Sequence, residues 1–232
     1  MYMDPIYVVF ALPAFLLSMF ASFYVKSTFS KYSKVGTRSG LTGAEAANRM
    51  LNAAGVYDVK IEHVNGFLSD HYDPSCNTLR LSDAVYNSQS LSAVGVACHE
   101  AGHALQKANS YAPMALRSLL VVPANIGSKF SFIVIMLGAL FQAPALIQIG
   151  LLLFSLAVLF TVVTLPVEWN ASSRAKVALL DAGIVSSEER DHAGAVLNAA
   201  FLTYVASAVS SIGTLLYYLF RLGILGGGSR RR

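Results

Sequence analysis

His99, Glu100 and His103 stand in the order His-Glu-x-x-His, between the apolar run Leu91-Ser92-Ala93-Val94-Gly95-Val96-Ala97-Cys98 and the residues Ala104-Leu105-Gln106. On an α-helix, residues four apart stack on one face, so both imidazoles can be offered to one metal ion. The Glu100 carboxylate follows the first histidine directly, where it reaches a water at the metal more easily than the metal itself. That is the place of the general base in a zinc hydrolase. The competing reading is a solvated helix face with two unrelated histidines. The apolar flanks argue against it, because they bury the helix and leave its polar face in need of partners.

A catalytic zinc takes three protein ligands and keeps one position open. No third histidine follows at short range, since the next one is His192. Glu168 is the better candidate, in the run Pro166-Val167-Glu168-Trp169-Asn170-Ala171-Ser172-Ser173-Arg174-Ala175 just past an apolar stretch. Ser172 lies one turn beyond it on the same face and can bond the second ring nitrogen of a ligating histidine. Arg174 can pair with a carboxylate or support helix packing. Glu168 also reads as an ordinary glutamate at a helix start, favoured there by the helix dipole. Both readings stand at the level of sequence. Cys98 neighbours His99 but points about 100° round the helix from it, and reads as a buried small hydrophobe.

These residues need elements that hold them, and composition says where those elements lie. Of 232 residues, 55% are hydrophobic and only 13% are charged. Soluble domains carry about 25% charge, so a membrane protein is indicated. The net charge of +4 comes with no basic stripe interleaved with aromatics, which excludes a nucleic-acid partner. The two cysteines, Cys76 and Cys98, form no framework and are compatible with a reducing, cytoplasm-facing location.

Residues 1–25 read as a retained transmembrane anchor, with an uncharged stretch from Ile6 to Val25 long enough to cross a bilayer. Lys26, Lys31, Lys34 and Arg38 follow it, and by the positive-inside rule they place the next region in the cytoplasm. Residues 26–118 form the long polar region. Thr42-Gly43-Ala44-Glu45 is a capping box that opens a helix through about Ala54, with Gly55 as its stop. Asp58–Val64 and Thr78–Ser82 alternate as short strands that pair into a small sheet. The turn-rich segment between them contains Asp70-His71-Tyr72-Asp73-Pro74. The edge of this sheet either holds an extended peptide by strand addition or is an ordinary hairpin. The helix with the two histidines is expected from near Ser90 to near Asn109.

Residues 119–166 read as a transmembrane hairpin, Leu119–Phe141 and Ala145–Leu165, with Pro166 ending the second arm. Two crossings return residues 167–198, and with them Glu168, to the side of the metal helix. Asp181 to Glu189 reads as a helix stop followed by a new cap. Residues 199–225 are a fourth hydrophobic segment, and residues 226–232 a flexible basic tail. Four full crossings would set those arginines outside, against the positive-inside rule, so the sidedness of the C-terminus stays open.

Taken together, the run Thr78 to Gln106, the Asp70–Pro74 turn and the segment Leu165 to Ala175 resemble the YugP-like bacterial membrane zinc metallopeptidases. That group is similar to the larger set of membrane zincins that includes HtpX and the CAAX prenyl endopeptidases. The resemblance implies a mainly α-helical multi-pass membrane protein of the cell membrane. It carries a small α+β zincin-like domain, made of the His-Glu-x-x-His helix and a short antiparallel hairpin. In the larger group the third ligand comes from a Glu-x-x-x-Asp motif, which implies Glu168 here, although Ser172 stands where the aspartate would be. It further implies one Zn2+ per chain and hydrolysis of membrane-proximal protein or peptide substrates, with Glu100 as base. Asn170, His192, Tyr204 and His71 are the candidates for an extra donor to the oxyanion. A zinc-binding scaffold that cleaves nothing is the alternative. Glu100 speaks against it, because a structural site needs no base and closes with a fourth ligand. A transporter fits poorly with a chain that has no internal repeat.

Overall fold

In lipid a peptide group must find its hydrogen-bond partner within its own segment, so long uncharged stretches become helices. The computed structural model describes residues 5–66 and 69–222, and four of its helices are long and apolar enough to cross a membrane. These are α1 (Pro5–Tyr32), α5 (Ala112–Leu140), α6 (Pro144–Asp181) and α7 (Ser187–Arg221). Between α1 and α5 the order is α2 (Gly43–Ala53), β1 (Lys60–Val64), β2 (His71–Asp73), β3 (Thr78–Ser82), α3 (Asp83–Tyr86) and α4 (Leu91–Ala108). The chain is thus a helical membrane protein with a small α+β region. The basic tail at residues 226–232 lies outside the described residues.

The chain divides into two compact units. The first comprises residues 5–20, 116–165 and 204–222. Lipid gives no hydrophobic drive for helix association, so close backbone approach must supply it. Small residues provide that approach between α5 and α6. A Cβ on Gly127 would lie 2.2 Å from the Leu153 carbonyl oxygen, and one on Gly150 would lie 2.5 Å from Ile135. Thr161 and Ser211 join α6 to α7 through their hydroxyls at 2.9 Å.

The second unit comprises residues 21–115 and 166–203 and holds the site. The capping box at α2 forms both of its bonds: Glu45 N–H donates to Thr42 Oγ1 at 3.2 Å, and Thr42 N–H donates to Glu45 Oε2 at 2.8 Å. Gly55 follows with φ +73°, which an L side chain rarely adopts. The sheet has three strands in the order β1-β3-β2. The antiparallel hairpin is β2–β3, whereas β1 and β3, the two strands legible from alternation, pair parallel. The tight turn after Asp73, with Asn77 at φ 54°, sets β2 antiparallel against one edge of β3. That leaves β1 the far edge. Strand β1 starts at Lys60 rather than Asp58, because the Asp58 carbonyl accepts from the Asn77 side chain instead, at 3.0 Å.

Helix α4 runs through the core, with Leu91, Ala93, Val94, Ala97, Cys98 and Ala101 all at 0% exposure. Ser90 caps it by accepting from Ala93 N–H at 3.2 Å. Helix α6 does not stop at Pro166 but continues to Asp181. A proline inside a helix costs about 3 kcal/mol. Past it, Val167, Ala171, Ala175 and Leu179 fall four apart and are fully buried in one stripe. Burying the valine and leucine alone contributes about 1.5–3 kcal/mol each, which offsets the break. Helix α5 likewise begins at Ala112, ahead of the expected Leu119, and carries Pro123 within it.

Candidate metal centre

Helices α4 and α6 meet where neither has a bulky side chain. A Cβ on Gly102 would stand 2.7 Å from the Ala171 carbonyl oxygen, closer than real Cβ contacts. Gly102 thus lets α6 approach the His-Glu-x-x-His face closely enough for Glu168 to reach it. Glu168 Oε2 lies 3.1 Å from His99 Nε2 and 3.5 Å from His103 Nε2. The two imidazoles stand nearly perpendicular, at 82°, with ring centroids 4.9 Å apart. One ligand atom from each of the three residues fits within 4.8 Å of the others.

The two distances from Glu168 match zinc. Bonds of 2.0–2.2 Å in a tetrahedron put neighbouring ligand atoms about 3.4 Å apart. The carboxylate-to-imidazole distances straddle that edge length. The donor set of two nitrogens and one oxygen is also one that catalytic zinc accepts, and it leaves a fourth position open. Glu168 is 1% exposed and sits in mid-helix, which removes the reading of a glutamate placed for a helix dipole.

The ring nitrogens away from the centre are engaged too. Gln106 Nε2 donates to the Val167 carbonyl at 2.7 Å and to Asn170 Oδ1 at 3.0 Å. Asn170 Oδ1 also receives Arg174 Nε at 2.8 Å, so it is an acceptor. Gln106 Oε1 must therefore face His103 Nδ1, at 2.9 Å, and accept from it. With the proton on Nδ1, the neutral ring would offer its Nε2 lone pair to a metal ion, whereas the protonated ring can donate from Nε2 to Glu168. Ser172 Oγ lies 3.1 Å from His99 Nδ1, and can accept there in the same way.

Glu100 does not join the three. Its Oε2 accepts the Tyr72 backbone N–H at 3.1 Å, which ties the edge strand β2 to the metal helix. Burial pushes the Glu100 carboxyl above the ordinary range; the histidines pull it down, while Glu168 and Asp70 push it further up. For His103, burial works downward. The Glu168 hydrogen bond and the charges of Glu100 and Glu168 outweigh it and hold the imidazole above its usual value.

The remaining sequence candidates have other surroundings. Asn170 and Arg174 brace Gln106, and the Arg174 guanidinium lies 6.0 Å from the Tyr111 ring centroid. His71 Nδ1 donates to the Ser69 carbonyl at 2.7 Å. His192 stacks on Tyr32 at 5.1 Å, and Tyr204 belongs to the other unit. Cys98 is fully buried and its thiol is pushed well up by desolvation, which suits a packing residue. Sequence reasoning missed Gln106, although its spacing three residues after His103 on a helix was a signal. It also missed the Tyr72 N–H, for which a side-chain pattern carries no signal.

A family described as "Putative neutral zinc metallopeptidase" matches residues 7–223. The chain is 45% identical over 214 residues to the "Putative membrane protease YugP" of Bacillus subtilis, covering 92% of this chain and 95% of that protein. No solved structure matches it. The chain belongs to this family of zinc metallopeptidases.

Proposed function

We propose that the protein is a membrane-embedded zinc endopeptidase, with one Zn2+ held by His99, His103 and Glu168. The observation that carries this is the placing of one Glu168 carboxylate oxygen within 3.1 Å and 3.5 Å of the two Nε2 atoms, with Gln106 and Ser172 at the rear nitrogens. When bound, zinc supplies Lewis acidity, which lowers the pKa of a water toward ~7 and polarises a carbonyl.

The residues do the rest. Glu100, beside the ligands but outside the ligand set, takes the proton of the attacking water. It then hands that proton to the amine as the C–N bond breaks. The Tyr72 N–H holds one carboxylate oxygen and so fixes where the base stands. Strand β2 is an edge strand next to this base, which supports an extended peptide lying alongside it by strand addition. Lys26, Lys31, Lys34 and Arg38 after the first apolar stretch support a site facing the cytoplasm of a cell-membrane protein. Substrates are then protein or peptide chains near the bilayer surface.

Glu100→Gln tests the assignment. The variant is expected to keep zinc and to lose about 10²–10⁴-fold of peptide hydrolysis. A zinc-loaded wild type that cleaves a peptide library no faster than this variant would overturn the peptidase reading.

A further inference from the structure

Within α4, from Leu91 to Gln106, only Val96, His99 and Glu100 are not buried. At 100° per residue these three fall in one stripe with His103, Val96 standing one turn before the site. The open face of the metal helix therefore does not end at His99 but continues toward its N-terminus. Val96 there forms part of a groove of about 590 Å³. Val25 and Phe29 of α1 and Val196 and Ala200 of α7 line it, with Lys26 among the lining residues. The groove is apolar although Lys26 and Ser30 of α1 and Ser33 just after it also line it.

We propose that this groove is the subsite for an apolar segment of the substrate beside the scissile bond, an inference that rests on the peptidase reading. Its substrates are then protein chains with bulky aliphatic or aromatic residues on one side of the cleaved bond, of the kind found where a chain leaves a bilayer. Two features favour a peptide occupant. The groove shares one helix stripe with the base, Val96 standing one turn before Glu100, so a peptide held at Glu100 has the groove beside it. The lining also begins at Val25 and Lys26, where the uncharged stretch of α1 ends. Apolar burial away from the reacting atoms supplies binding energy that can be used at the scissile bond.

The test uses the full-length, zinc-loaded chain in detergent micelles and decapeptides that differ only in carrying Leu, Gly or Asp at either flank of the cleaved bond. The expected result is a preference for Leu at one flank of about tenfold or more in kcat/KM. Ala200→Phe, which fills the groove, should narrow that ratio severalfold. In parallel, a decapeptide carrying photoactivatable leucine at that flank is irradiated with the Glu100→Gln chain, and its labelled sites should fall on the segments bearing Phe29, Val96 or Val196. This arm needs no substitution in the groove and holds if Ala200→Phe misfolds. Cleavage without flank preference, or labelling elsewhere, would overturn the subsite. So would groove labelling by a photoactivatable phospholipid that the peptide fails to displace. Groove labelling in a chain that cleaves nothing would instead sink the peptidase reading and leave the groove standing.

Discussion

Gln106→Met separates a packing residue from one that positions the metal. Methionine has a similar volume and leaves no large cavity. Gln106 is 0% exposed and makes three bonds, to His103, Val167 and Asn170. Asn170 Oδ1 keeps Arg174 after the change, so the group left most exposed to loss is His103 Nδ1–H, on a residue only 6% exposed. An unsatisfied buried donor costs about 1–3 kcal/mol. At 1.4 kcal/mol per decade that is roughly 5- to 150-fold in zinc affinity, in line with the 10–100-fold typical of lost partners behind metal ligands. The assay is chelator competition on the solubilised chain, with the thermal midpoint followed alongside. Gln106→Glu keeps the acceptor and should lose less affinity than Gln106→Met. Zinc affinity within twofold of wild type in a folded Gln106→Met chain would show that Gln106 only packs.

Other consequences follow from close contacts in the same unit. Gly102→Ala puts a methyl 2.7 Å from the Ala171 carbonyl where ordinary contact begins at 3.4 Å, so α6 must retreat by several tenths of an ångström. Zinc–ligand distances tolerate about 0.2 Å, so affinity should fall about tenfold or more in the same titration; no change would contradict the close approach as the reason for this glycine. Asp73 predicts an acid response. The Ser75 hydroxyl, bonded at 2.6 Å, and Arg80 at 3.0 Å hold its carboxyl well below the usual range. A depressed folded pKa contributes stability above the unfolded value, near 3.8, that is lost as pH falls below it. In zinc-free protein, Asp73→Asn should therefore lower the thermal midpoint at pH 7, and the gap should close on acidification below about pH 4. A gap that persists at low pH would contradict this sign.

The parts of this molecule that repeat were legible and the parts that depend on one contact were not. The α2 capping box and the helix from Ser90 to Asn109 could be read because capping residues and apolar spacing act locally. Strand β2 was hidden because His71-Tyr72-Asp73 is three residues long and looks like the turn it adjoins. The parallel pairing of β1 with β3 depends on where β2 docks, a choice made by tertiary contacts. Pro166 looked like a stop because its missing N–H is local information, whereas the buried stripe of Val167, Ala171, Ala175 and Leu179 that outweighs it exists only once α4 is in place. The same distinction governs the site. His99 and His103 announce themselves by spacing, Glu168 stands 69 residues from His99, and Gln106 becomes meaningful only when Val167 and Asn170 fix the direction of its amide.

In the proposed site, α6 closes a zinc centre begun on α4. Zinc content per chain, read together with the ligand signature in X-ray absorption, tests it most directly on the wild type and Glu168→Ala. The expected result is one zinc per wild-type chain with nitrogen and oxygen ligands and no sulfur, and a marked loss of zinc in Glu168→Ala. Full zinc occupancy in Glu168→Ala, or a sulfur ligand in the wild type, would contradict it.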